Sequence, residues 1–163
     1  MWPCVTWGKF EINGDFMAIL TKIRAIKQIH REDVVLVKIG DFYHVYGKDS
    51  YIVAYLMGYK LKKVDGNCPS CGFPTKSLVK IEATLESKKI NYIELDRRNN
   101  YDVDSYSNNK NLNSYKKYYL KANEYLNKKS RIDNIYAYFV NNIDKKDMKK
   151  LLKNIEEIIK NEG

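Results

Sequence analysis

The chain has 163 residues, 44% of them hydrophobic, and a formal net charge of +9, a size and apolar content that suit one folded domain or a domain with a small appendage. No run of eighteen apolar residues occurs, which excludes a membrane-spanning helix, and Met1-Trp2-Pro3-Cys4 does not open a secretory leader. Three cysteines are an odd number, which argues against a closed disulfide framework and fits a reducing, cytoplasmic compartment.

The basic excess favours an anionic partner, since cationic side chains release counterions from phosphates. It is spread along the chain: residues 1–100 carry 16 basic and 11 acidic side chains, and residues 101–163 carry 13 and 9. No arginine-rich block concentrates it. The many Lys, Asn, Ile and Tyr residues also fit an AT-rich coding sequence.

In chain order, residues 15–30 predict an amphipathic helix with Phe16, Ile19, Leu20, Ile23 and Ile26 on one face and Asp15 as its cap. Residues 34–39 predict a strand with no polar alternation until Lys38, hence buried on both faces. Residues 42–46 continue as a second strand. Residues 49–57 predict a short helix stopped by Gly58, and residues 59–63 a strand with its lysines in water. Residues 64–71 read as a loop. Residues 75–88 predict a helix capped by Thr75, and residues 90–95 a further strand. This order predicts a mixed α/β (α+β) domain over residues 1–98, a mixed sheet flanked by helices.

Residues 99–113, dominated by Asn, Asp and Ser, read as a linker. A three-helix segment is predicted over 114–163. Its first helix places Tyr115, Tyr118, Tyr119, Ala122, Tyr125 and Leu126 on one face. Its second opens with the capping-box spacing of Ser130-Arg131-Ile132-Asp133. Its third carries a stripe of Met148, Leu151, Leu152, Ile155, Ile158 and Ile159. So short a helical segment buries little by itself, and its stripes call for the first domain, a second copy of the chain or another protein.

One string carries most of the functional information. The apolar run Val34-Val35-Leu36-Val37 leads into Gly40-Asp41-Phe42-Tyr43-His44. Leu56-Met57-Gly58, Tyr59-Lys60-Leu61-Lys62-Lys63, Cys71-Gly72-Phe73-Pro74 and Ile90-Asn91-Tyr92-Ile93-Glu94-Leu95 follow in order. On residue physics alone Phe42 is either a ring held out at a turn or a core aromatic beside one; Tyr43 and Tyr46 read as core, and Asp41 as a turn former. Over residues 14–96 the ordered string resembles the N-terminal mismatch-recognition domain of the MutS family. Members of that family carry a strand ending in GDFYE, a helix ending near Leu-Gly, a strand such as LTLTKR, and AGVPYH or AGFPYH opening a helix.

The resemblance implies a MutS domain I-like fold, duplex DNA with a mismatch or distortion as partner, and a role in DNA repair. It implies that Phe42 stacks on the mispaired base from the minor groove. His44 stands where the family has the Glu that hydrogen-bonds that base; a neutral imidazole can still donate or accept one hydrogen bond there. Lys38, Lys48, Lys60, Lys62, Lys63, Lys76, Arg97 and Arg98 are the candidate phosphate contacts. The family's connector, lever, clamp and ATPase domains have no counterpart here. No G-x-x-x-x-G-K-[ST] occurs, so ATP-driven steps are not expected of this chain, which reads as a free-standing domain with a helical tail.

Cys68-Pro69-Ser70-Cys71 has the shape of half a zinc knuckle, and Cys4 with a histidine could complete four ligands; two reduced thiols are the simpler reading, and no metal or other cofactor is expected. Glu82, Glu86, Glu94 and Asp96 do not make a nuclease set, because Glu82 and Glu86 sit one turn apart on a lysine-bearing helix, the pattern of a solvated face. The expectation is a non-enzymatic module that binds distorted duplex DNA. The alternatives are an assembly module using its C-terminal helices for a protein partner or self-association, and an RNA-binding protein.

Overall fold

The computed structural model describes residues 15–64, 67–106 and 113–163. The described strands form one six-stranded mixed sheet. Its elements are β1 (Asp33–Ile39), β2 (Phe42–Tyr46), β3 (Lys62–Val64), β4 (Cys68–Pro74), β5 (Asn91–Asp96) and β6 (Val103–Tyr106), in the spatial order β3-β4-β2-β1-β5-β6. β1 and β5 run parallel; the other neighbouring pairs are antiparallel. The helices are α1 (Asp15–Ile29), α2 (Lys48–Met57), α3 (Leu78–Ser87), α4 (Tyr115–Asn141) and α5 (Met148–Glu162).

The alternation of side chains along a strand assigns each residue to a face. On one face Phe16, Ile19 and Ile23 of α1 pack with Val35, Val37 and Ile39 of β1, Ile93 and Leu95 of β5, and Tyr46. On the other, Val34, Leu36, Tyr43, Val45, Cys71 and Phe73 meet the buried Ile52, Val53 and Ala54 of α2 and Ile81 and Leu85 of α3. β1, covered on both sides, is the apolar run expected of a doubly buried strand. α2 stops where expected: Gly58 takes the left-handed φ of 71°, which only glycine adopts without strain, and its N–H closes the last turn on the Ala54 carbonyl.

The structure corrects several expectations. The stretch expected as a loop over 64–71 contains the start of β4, a strand that lies between β2 and β3. Val103–Tyr106, inside the expected linker, form the edge strand β6 on β5. Thr75 opens a short 3-10 turn before α3, and its N–H donates to the Asp41 carbonyl at 3.0 Å. The two helices expected over 114–127 and 130–140 are one continuous α4, so the segment expected to hold three helices holds two. Ser130 has a capping-box sequence but no Gly or Pro nearby to break the chain, and good helix formers on either side carry the helix through it. The side chain of Asp15, expected as a cap, lies outside the described residues.

Compact units divide after Asn123, within α4. In the first unit Tyr115 and Ala122 of α4 are buried. The second, Glu124–Gly163, exposes large apolar side chains: Ile132, Ile135, Tyr136, Ile143, Leu151, Leu152, Ile158 and Ile159. No described helix is long and apolar enough to cross a membrane.

Candidate nucleic-acid interface

The β1–β2 hairpin turns on Gly40 and Asp41, with Ile39 opposite Phe42. Gly40 takes φ 60°, and a glycine first in a two-residue loop gives the backbone twist that matches flanking strands. Phe42 is therefore the first residue of β2, paired to Ile39 on one side and Pro74 on the other. It is half-buried, neither free nor sealed. It lies on the same sheet face as α1, which packs over β1 and β5, while Phe42 and His44 on β2 stay half-exposed. Tyr43 points the other way, stacked on Phe73 with ring centroids 5.4 Å apart, and is core, as is Tyr46.

His44 follows Phe42 on that face, opposite Val37 and Gly72, and lies parallel to the Tyr46 ring at 6.2 Å. Burial pushes its imidazole below the ordinary histidine range, because a charged ring loses solvation there. A neutral ring can offer a donor or an acceptor to a base edge and is not drawn to phosphate as a cation.

Strand directions decide which candidate cations share Phe42's end of the sheet. The C-terminal ends of β1, β4 and β5 lie there, and with them Lys38, Lys76, Arg97 and Arg98. Lys76 and Arg97 are exposed. Lys38 Nζ is 3.7 Å from Asp96 and Arg98 is 3.0 Å from it, so that carboxylate offsets part of the charge. The hydrogen bonds from Arg98 hold Asp96 below the usual carboxylate range, which keeps it ionised. Lys60, Lys62 and Lys63 are exposed on and before the edge strand β3; Lys62 is on the Phe42 face but level with Tyr46, so Lys62 and Lys63 lie at the opposite end of the sheet from Phe42. Lys48 stands apart. It opens α2 at the opposite end of the sheet, its ammonium 5.4 Å from the Tyr119 ring centre.

The cysteine pair is not a knuckle. Residues three apart on a strand face opposite ways, and both cysteines are in β4. Cys68 packs toward the α1 core, whereas Cys71 donates from Sγ to the Ser50 carbonyl of α2 at 3.6 Å. Burial pushes the Cys71 thiol up to about 12, far from the thiolate a metal needs. Cys4 lies outside the described residues. Among the described residues no three His, Cys, Asp or Glu side chains are placed to hold a metal ion.

Two polar clusters were not legible beforehand. Asp49, buried, accepts from Lys27 Nζ at 2.6 Å and from the Tyr115 hydroxyl at 2.5 Å on one oxygen, and from Val35 N–H at 2.9 Å on the other. It joins α1, β1, α2 and α4. Burial pushes its carboxyl upward, and the three donors pull it back. The second cluster sits under α3. The Tyr43 hydroxyl reaches Glu94 at 3.2 Å and the Tyr92 hydroxyl reaches Glu86 at 3.0 Å. Glu82, expected in water, is half-buried, and desolvation together with Glu94 pushes its carboxyl up to about 7. A helical wheel could not show this, because Glu94 comes from a strand.

Comparison with known proteins agrees with this architecture. Residues 18–95 match the family described as MutS domain I. A 65-residue stretch is 31% identical to the DNA mismatch repair protein MutS of Anaplasma phagocytophilum (strain HZ), covering 40% of this chain and 8% of that protein. The matched span runs from α1 to the end of β5 and contains Phe42, His44 and Phe73. Residues 18–95 are a MutS domain I-like region.

Proposed function

We propose that this chain is a non-enzymatic module that recognises mismatched or distorted duplex DNA, with Phe42 as an aromatic wedge. The observation that carries the reading is the half-exposed Phe42 at the turn end of a hairpin, with His44 beside it and the exposed Lys76 and Arg97 at the same end of the sheet. Unstacking a base step costs a few kcal/mol, least where the duplex is already weak. Stacking a ring on a base returns about 1–3 kcal/mol. The balance selects weakened duplex, and phosphate contacts from Lys38, Lys76, Arg97 and Arg98 at that end of the sheet supply the rest. Lys48, Lys62 and Lys63 contribute little to this surface, given their place at the far end.

The test is binding of wild type and Phe42→Ala to matched and mismatched duplexes at two salt concentrations. Wild type prefers the mismatch, and Phe42→Ala loses about 5- to 100-fold on the mismatched duplex with an unchanged salt slope. Equal binding of both duplexes by both proteins refutes the wedge. Competition with single-stranded and structured RNA separates the RNA reading.

A second reading is favoured by the exposed apolar side chains of Glu124–Gly163. In it the helical segment attaches the DNA-reading domain to a protein partner or to a second copy.

A further inference from the structure

We propose that α5 pairs antiparallel with α5 of a second copy of this chain. The inference deepens the assembly reading and is independent of the DNA wedge. It begins with a stripe that nothing in the second unit covers: Leu151 and Leu152 are 38% and 41% exposed, and Ile158 and Ile159 are 59% and 65% exposed. With the half-buried Ile155 these residues follow the i, i+3, i+4, i+7 spacing of one helix face, while Met148 at its head is already buried. Water-exposed apolar surface of this extent marks an interaction site.

The charges beside the stripe identify the occupant. At 100° per residue, Lys149 and Glu156 lie seven positions apart on one edge of the stripe, and Asn154 and Asn161 lie on the other. In a parallel pair, opposite edges meet, so the Lys149–Glu156 edge faces asparagines and gains no ion pair. In an antiparallel pair, like edges meet. Lys149 then faces Glu156 of the second copy, twice by symmetry, and the uncharged Asn154 edge meets its own counterpart with no like-charge contact. The two-fold axis falls between Leu152 and Lys153, near the middle of the stripe from Met148 to Ile159. The edge is thus self-complementary in one orientation only.

A fifteen-residue helix is about 22 Å long, and two such helices alone are marginal in water. Ile132, Ile135, Tyr136 and Ile143 of the same unit are also exposed.

The experiment is sedimentation equilibrium of the full chain without DNA, for wild type, Lys149→Glu, Glu156→Lys, the combined charge swap, and Ile158→Asp. Wild type is a dimer at tens of micromolar. Each single charge variant raises the dissociation constant roughly 3- to 30-fold, since two ion pairs become two like-charge contacts. The swap within one chain restores wild-type association, and mixing the two single variants does the same. Ile158→Asp gives a monomer, and its urea midpoint matches wild type at concentrations well below the wild-type dissociation constant, because that side chain is already exposed in the single chain. A monomeric wild type overturns the proposal while leaving the docking of a different protein open. A dimer indifferent to the charge variants, or a swap that stays dissociated, overturns the antiparallel pairing.

Discussion

Replacing Asp49 by asparagine tests whether the buried polar lock holds α4 to the sheet domain. The carboxylate takes three donors on two oxygens: Lys27 and Tyr115 on one, Val35 N–H on the other. Asparagine keeps the shape but has one acceptor oxygen, so its amide must point at a donor on one side. Leaving the buried Val35 N–H unpaired costs about 1–3 kcal/mol. Breaking a buried ion pair from one side costs about 3–5 kcal/mol. The Lys27 side chain is 23% exposed and recovers part of its hydration, which favours the lower end of that range. The expected loss is therefore about 3–4 kcal/mol, a large share of the roughly 5–15 kcal/mol that holds a domain folded. Urea unfolding followed by far-ultraviolet circular dichroism measures it, provided the m-value is unchanged. Tyr115→Phe removes one hydrogen bond to a charged acceptor, and its cost should be about 1.5–3 kcal/mol, smaller than that of Asp49→Asn. If Asp49→Asn lies within about 0.5 kcal/mol of wild type, the lock contributes nothing and the reasoning is wrong.

The Glu82 carboxyl has a pKa near 7 in the folded chain and an ordinary carboxylate value when unfolded. Between those values the folded state binds more protons, so stability falls as pH rises from about 4.5 to about 7 and levels off above. Glu82→Gln should flatten that slope in urea midpoints taken from pH 5 to pH 8; an unaltered slope would show that the proton is held elsewhere. Phe73 is fully buried between Tyr43 and Tyr59, its ring centroid 5.4 Å and 6.1 Å from theirs. Phe73→Ala should cost about 3–5 kcal/mol, and a loss below about 1 kcal/mol would mean that the site collapses to fill the cavity.

The proposed role rests on the alternation of β2. Tyr43 and Val45 anchor the strand in the α2–α3 core, and that anchoring presents Phe42 and His44 on the other face in fixed positions. The proposed wedge would have to be stiff to part a base step, and a strand paired on both sides is stiffer than a loop. Asp96 tempers the charge at the same end of the sheet by engaging Lys38 and Arg98.

Local patterning determined α1, β1, β2, α2, α3, β5 and α5, because each carries an apolar run or stripe that local spacing records. The Gly40-Asp41-Phe42 turn and the Gly58 stop were legible for the same reason: positive φ leaves a residue-level mark. Only the tertiary structure decided the rest. β4 contains Pro69 and Gly72 and reads as a loop; it is a strand because β2 and β3 take up its backbone hydrogen bonds from both sides. Cys68 and Cys71 look like a metal knuckle until that strand turns them to opposite faces. Asp49, Lys27 and Tyr115 are far apart in sequence, and neither their meeting nor the approach of Glu82 to Glu94 leaves any trace in spacing. Local backbone preference is written into neighbouring residues, whereas the pairing of buried charges depends on which elements the sheet order brings together.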